Sequence, residues 1–153
     1  MTPIVFHCTA VIPAGASTIC SRIADTTRWS DFRGYGILPG IKCADYETKT
    51  REMVGSRIRV CNTDGSGHVE EIVTWVDGSA VGVRLQEFVP PLSHLATHID
   101  EAWSFQPEGS ATRVTRTMQL YPRRSFTRPA LWLISLLLRK AIALNLREMA
   151  EAQ

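Results

Sequence analysis

The C-terminal segment constrains this chain more than any other feature. From Ala130 to Ala152 there is neither glycine nor proline, and Leu, Ala, Arg, Glu and Met, all good helix formers, dominate. Pro129 falls in the first turn, where its missing N–H costs nothing, behind Thr127 or Arg128 as cap. At about 3.6 residues per turn the segment predicts a helix of roughly six to seven turns. Its first half, Leu131 to Leu138, is apolar nearly all round, so more than one face must be covered. Such a helix has to be wrapped by the rest of the chain.

The preceding residues predict a sheet. Ile4 to Ile12 is apolar and β-branched and is closed by Pro13, as in a first strand. Thr18 to Ala24 reads as a short helix, and Asp25 or Thr26 caps a second one through Trp29 and Phe32. Gly34-Tyr35-Gly36-Ile37-Leu38-Pro39-Gly40 is a punctuated loop. From Ile41 the signals are those of hairpins: Ser56 to Val60 and Val69 to Val76 flank Asp64-Gly65, and Asp77-Gly78-Ser79 leads into Val81 to Phe88. Leu92 to His98 is a less regular connection. The strand of Ile99 to Phe105 turns at Glu108-Gly109 into the last strand, Arg113 to Tyr121. Seven antiparallel strands with helices near both ends make an α+β domain spanning residues 1–153.

Composition excludes little. Hydrophobic residues are 44% of the 153 and charged residues 21%, an ordinary globular balance. A net charge of +2 does not by itself suggest nucleic-acid or membrane binding. Cys8, Cys20, Cys43 and Cys61 show no CxxC pair and are expected as buried, reduced thiols. The four histidines have no HxH spacing, so no metal is expected, and surface or strand-edge places are predicted for them. No P-loop, GxGxxG or GxSxG sequence occurs, and no cofactor is implied. The start lacks the basic stretch of a secretory signal, and the apolar run Ala130 to Leu138 is too short to span a bilayer. The expectation is a cytoplasmic protein without stable membrane insertion.

Several segments carry a resemblance: Ile12-Pro13-Ala14, Asp25 with Trp29 and Phe32, Gly55-Ser56-Arg57-Ile58-Arg59-Val60 with Asp64-Gly65-Ser66, Glu101-Ala102-Trp103-Ser104-Phe105, Thr112-Arg113-Val114 and the last helix. Together they resemble the START-like (SRPBCC) superfamily of polyketide cyclases, lipid-transfer domains and plant pathogenesis-related allergens, over essentially the whole chain. The loop Gly34 to Ile41 is similar to that of one bacterial branch. The resemblance implies a helix-grip fold, a curved seven-stranded antiparallel sheet around the long helix, with a cavity for a small hydrophobic ligand between them. It also implies a mobile loop at the cavity mouth, where Tyr35, Leu38 and Pro39 fall. None of these motifs is catalytic, and a fold does not transfer an activity.

Strand periodicity nominates the lining. Ile99, Glu101, Trp103 and Phe105 share one face, and its aromatic character makes it the inner one. Val114, Arg116, Met118 and Leu120 share a face on the last strand. Pairing Gln106 with Ala111 would set Trp103 opposite Val114 and Glu101 opposite Arg116, a carboxylate and a guanidinium meeting inside an apolar cavity. That pair is either a structural ion pair within the wall or a polar anchor for a ligand. An Asp64-Gly65 turn pairing Val60 with Val69 would put Glu71 inside beside Trp75, and a one-residue slip would reverse it. On the helix, Trp132, Leu136, Arg139, Ala143, Leu146 and Met149 form one covered stripe and Ile134, Leu138, Ile142 and Asn145 its neighbour. Arg139 and Asn145 are the polar exceptions.

Three functions fit this reading. The first is binding or carriage of a lipid, polyketide or aromatic compound. The second is an enzyme of cyclase, aromatase or dehydratase type acting in the same cavity, by holding a flexible chain in reactive geometry while Arg116, Glu101, Tyr35, Asn145 or Arg139 polarises a carbonyl or moves a proton. The third is an interaction module, and self-association as a homodimer stays open.

Overall fold

The computed structural model describes residues 1–152. Strand β1 (Ile4–Ile12) leads into helix α1 (Ala16–Ala24) and a 3-10 turn over Thr26–Asp31. Six strands follow: β2 (Ile41–Thr48), β3 (Arg57–Asn62), β4 (Gly67–Val76), β5 (Ala80–Gln86), β6 (Ala96–Glu108) and β7 (Ala111–Pro122). The short helix α2 (Leu92–Leu95) bridges β5 and β6, and α3 (Arg128–Glu151) closes the described chain. All pairings are antiparallel, in the order β1-β7-β6-β5-β4-β3-β2. The hairpins therefore run consecutively from β2 to β7, and only β1 crosses over to join the last strand. This is the helix-grip fold: a curved sheet, two short helices at one end and a long helix laid across its concave face.

The local chemistry accounts for the elements. Asp25 stops α1 and caps the 3-10 turn by accepting hydrogen bonds from the Thr27 amide (3.1 Å) and hydroxyl (2.6 Å), which hold its carboxyl below the usual carboxylate range. Trp29 donates from its indole N–H to the Ile23 carbonyl (2.9 Å), and the Tyr46 hydroxyl donates to the Ala24 carbonyl (2.8 Å), tying this corner to β2. Gly34, at φ +73°, admits the return of the loop: a Cβ there would sit 2.2 Å from the Leu38 carbonyl oxygen. Tyr35 and Leu38 exchange backbone hydrogen bonds across that turn (3.0 and 2.9 Å).

The strands alternate as a half-buried sheet should. On β6 Ile99, Glu101, Trp103 and Phe105 point inward, and on β7 Thr112, Val114, Arg116, Met118 and Leu120 do so. With Ile4, Phe6, Ile12 and the inner residues of α3 they form the main core; Ala44, Ile58, Val60 and Ile72 form a smaller one under β2–β4. Helix α3 leans on β1 and β7, leaving space between it and the inner faces of β3 to β6.

Two registers differ from the sequence expectation. The β6–β7 turn is tighter, pairing Glu108 with Ala111, so Trp103 opposes Arg116 and Glu101 opposes Met118. The shift is two residues, and every side chain keeps its face. In β3–β4 the shift is one residue: Val60 pairs with His68 and Ile58 with Glu70. Asp64 accepts from the Ser66 amide and hydroxyl, and the Asn62 amide bonds the Ser66 carbonyl, so residues 62–66 make a longer loop than a two-residue Asp-Gly turn. Glu70 consequently faces in and Glu71 faces out, where it lies 3.5 Å from Arg57.

The cysteines also depart from expectation. Cys20 is buried and Cys8 half-buried, but Cys43 and Cys61 are exposed and pair directly across β2 and β3. The neighbouring Cys61 thiol holds the Cys43 thiol above its ordinary pKa. Iodoacetamide on the folded protein should label Cys43 and Cys61 and spare Cys20. Peptide mass mapping checks this, and prior labelling of Cys20 would contradict the packing of α1.

Candidate functional site

The space under α3 is a cavity of about 880 Å³, within the range that seats a small-molecule ligand. Its walls are chiefly apolar. Val83 and Leu85 of β5, Ile99 and Trp103 of β6 and Met118 of β7 form the sheet side; Ile134, Leu138, Ile142 and Met149 form the helix side. Trp29, Phe32 and Leu38 close one end, and Phe88, Leu92 and Leu95 another. Exposed lining residues, among them Arg33, Ile37, Asp64, Val89 and Pro91, mark a mouth between the 33–39 loop, the β3–β4 turn, the β5–β6 connection and the end of α3.

One polar cluster is set in this wall. Arg116 donates to Glu101 Oε2 from Nε (2.8 Å) and Nη2 (2.5 Å), and from Nη1 to Asn145 Oδ1 (2.8 Å). Both members of the ion pair are about 7% exposed. The guanidinium lies over the Trp103 ring, with Cζ 4.1 Å from its centroid, a direct result of the observed β6–β7 register. Because a guanidinium only donates, Asn145 must present Oδ1 to it, which leaves the Nδ2 donors free for other work. Glu101 Oε1 takes part in no hydrogen bond among the described residues, and no buried side-chain oxygen or nitrogen lacks a partner there. The cluster thus offers the cavity an acceptor at Glu101 Oε1 and donors at Asn145 and Arg116.

A second polar pair lines the same cavity. His68 Nε2 and Glu70 Oε2 are 2.8 Å apart, both residues are buried, and the imidazole lies 5.9 Å from the Phe88 ring. Sequence reading gave His68 a surface or strand-edge place and put Glu71 rather than Glu70 inside; the one-residue register shift of β3–β4 brings His68 and Glu70 in. A histidine two residues before a glutamate on a strand puts them on one face, so the alternation carried the signal once the loop length was known.

The nominated residues divide. Glu101, Trp103, Arg116, Met118, Leu38 and Asn145 line the cavity, and Phe105, Glu71, Trp75, Tyr35 and Arg139 do not. Phe105 is buried behind Trp103, their ring centroids 6.4 Å apart. Trp75 lies beyond a β4 irregularity between Ile72 and Thr74 and packs against both cores. Tyr35 is 45% exposed and turns toward Lys140 on the outside of α3. The stripe of Trp132, Leu136, Arg139 and Ala143 is exposed rather than covered; the stripe of Ile134, Leu138, Ile142 and Asn145 is the one that meets the cavity. Among the described residues no group of His, Cys, Asp and Glu has metal-holding geometry.

A long apolar helix, a sheet bent around it and a hollow between them define a helix-grip protein, and the chain has the fold of the START-like superfamily. Solved structures of this fold align over almost its whole length. Zhui aromatase/cyclase from Streptomyces sp. R1128 matches with a TM-score of 0.74 and 13% identity, covering 97% of this chain and 94% of that one. Ginseng major latex-like protein 151 from Panax ginseng matches with a TM-score of 0.70 and 16% identity, covering 99% and 97%. The di-domain ARO/CYC StfQ of the steffimycin biosynthetic pathway matches at 0.73 and 13%, covering 98% of this chain and 50% of that one. No family model and no curated protein matches the sequence. At such identities the likeness is one of fold.

Proposed function

We propose that this protein binds and carries a small hydrophobic molecule, a lipid, polyketide or aromatic compound, in the cavity beneath α3, and does so in the cytoplasm. One observation carries the reading: a roomy, mostly apolar hollow holds a pre-organised Glu101–Arg116–Asn145 cluster with unused hydrogen-bonding capacity. A guest of mainly apolar surface gains from burial against Trp103, Met118, Leu138 and Ile142. A hydroxyl, carbonyl or carboxyl on that guest finds its partner at the cluster and is oriented by it. The fold neighbours support a role on a small hydrophobic molecule in general, because proteins of this fold include an aromatase/cyclase.

A second reading is favoured by the His68–Glu70 pair. An imidazole held by a carboxylate in the same cavity is suited to move a proton, the requirement for a cyclase, aromatase or dehydratase. Native mass spectrometry of protein purified from its own host, followed by extraction, separates the two. The expected result is a single non-covalent guest recovered unchanged after incubation. A guest that loses water during incubation assigns the enzyme instead. A protein that leaves its host empty and takes up no hydrophobic probe, such as 1-anilinonaphthalene-8-sulfonate, would overturn both.

A further inference from the structure

Helix α3 is apolar on more sides than the fold covers. Leu131, Ser135, Leu138, Ala141, Ile142 and Leu146 are buried against the sheet, whereas Trp132 is 51% exposed, Leu133 58% and Leu136 40%. Phe126, just before the helix, is 76% exposed, and Ile37, on the adjoining loop, 84%. That loop abuts the helix: a Cβ on Gly36 would lie 3.7 Å from Leu137 Cδ2, and Lys140 Nζ is 5.8 Å from the Tyr35 ring centroid. Apart from Met1, every exposed apolar side chain larger than valine among the described residues belongs to this one region. By length and composition the helix would suffice to cross a membrane, yet its inner residues belong to the core.

Along the chain, the charges that flank this face have one sign. Between Glu108 and Glu148 the chain contains no Asp or Glu, while Arg123, Arg124 and Arg128 precede the exposed turns and Arg139 and Lys140 follow them. None of these five cations belongs to a salt bridge among the described residues, although Arg33, Arg57, Arg59, Arg84, Arg113 and Arg116 all do. Among the described residues the side chains of Arg123 and Arg128 donate only to the backbone carbonyls of Ser93 and Thr2. The net charge of +2 therefore conceals a run of basic residues along this segment.

We propose that the outer face of α3, from Phe126 to Lys140 with Tyr35 and Ile37 beside it, docks the protein on an anionic phospholipid bilayer. Charge complementarity selects this occupant. An apolar ridge carrying Trp and Phe, bounded at both ends by unpaired Arg and Lys, matches a layer of anionic headgroups above acyl chains. Trp132, Leu133 and Leu136 enter the interface while the guanidinium and ammonium groups stay at headgroup level. Docking is peripheral, because the inner face of the same helix remains held by the sheet. It would set the Ile37–Leu38 lip of the cavity against the lipid. The surface stands whatever the cavity holds.

Co-sedimentation of the full chain with vesicles tests it. Binding to phosphatidylcholine vesicles containing about 30% phosphatidylserine should exceed binding to pure phosphatidylcholine by at least about tenfold. It should fall in about 0.5 M salt, where screening is nearly complete over a few ångströms. The double variant Leu133→Ser/Leu136→Ser should lose roughly tenfold on the anionic vesicles, with an unchanged thermal melt because both side chains are already exposed. Arg139→Gln/Lys140→Gln should lose binding to the anionic vesicles alone. No binding to either vesicle, or equal binding to both, overturns the proposal. So does sedimentation equilibrium showing a lipid-free dimer that the double serine variant dissociates, since the face would then belong to a second copy.

Discussion

Arg116→Ala should lower the melting temperature by about 6 to 20 °C. Among the described residues the guanidinium is the only donor set holding Glu101 Oε2, and its side chain is 8% exposed. Removing one member of a buried ion pair strands the other and costs about 3–5 kcal/mol, and about 1 kcal/mol moves the melting point of a domain this size by roughly 2–4 °C. Loss of the stack on Trp103 adds to the effect. The double variant Glu101→Leu/Arg116→Met behaves differently. Replacing a whole buried pair with apolar residues of similar volume is often neutral or stabilising, so its melt should lie near that of the native protein. Its affinity for an oxygen-bearing guest should nevertheless fall, since of the cluster only Asn145 remains to orient it. Differential scanning calorimetry and titration with the extracted guest read the two effects separately. A double variant that keeps both stability and affinity would make the pair a piece of wall and remove the anchor from the proposed function.

The contrast between these variants follows what was legible beforehand. The inner face of β6 and β7 was readable because alternation over Ile99 to Phe105 and Val114 to Leu120 is strict. A misjudged turn shifted the pairing by two residues and left each side chain on its side. Glu101 and Arg116 meet all the same, diagonally rather than directly, because long side chains bridge that offset. The β3–β4 hairpin had no such protection. One extra loop residue, stabilised by Asp64 on Ser66, exchanged Glu71 for Glu70 and drew His68 into the cavity. Helix α3 was readable in extent but not in orientation. A segment apolar on all sides gives its periodicity no preferred face, so Arg139 and Trp132 were assigned inward although they point out. The same ambiguity, once the structure is known, is what leaves an apolar face uncovered.

The hollow itself can be tested by paired truncations on α3. Leu146 is 1% exposed and does not line the cavity; Leu138 is 8% exposed and does. Truncating a leucine in a solid core costs about 2–5 kcal/mol, the larger values arising where a new void remains. Leu146→Ala should fall in the upper part of that range, because its neighbours close around it on every side and α3 cannot shift without disturbing β1. Leu138→Ala should cost less by about 1–2 kcal/mol, since its tip already faces open space and its removal enlarges an existing cavity instead of creating one. Chemical denaturation with an unchanged slope for both variants gives the comparison directly. The order should reverse when a guest is bound. Leu138→Ala then removes a contact with the guest and loses affinity, whereas Leu146→Ala, remote from it, keeps the same dissociation constant. Equal costs for the two leucines in the guest-free protein would mean that the space beneath α3 is filled by the protein itself, and the carrier and enzyme readings would fail together.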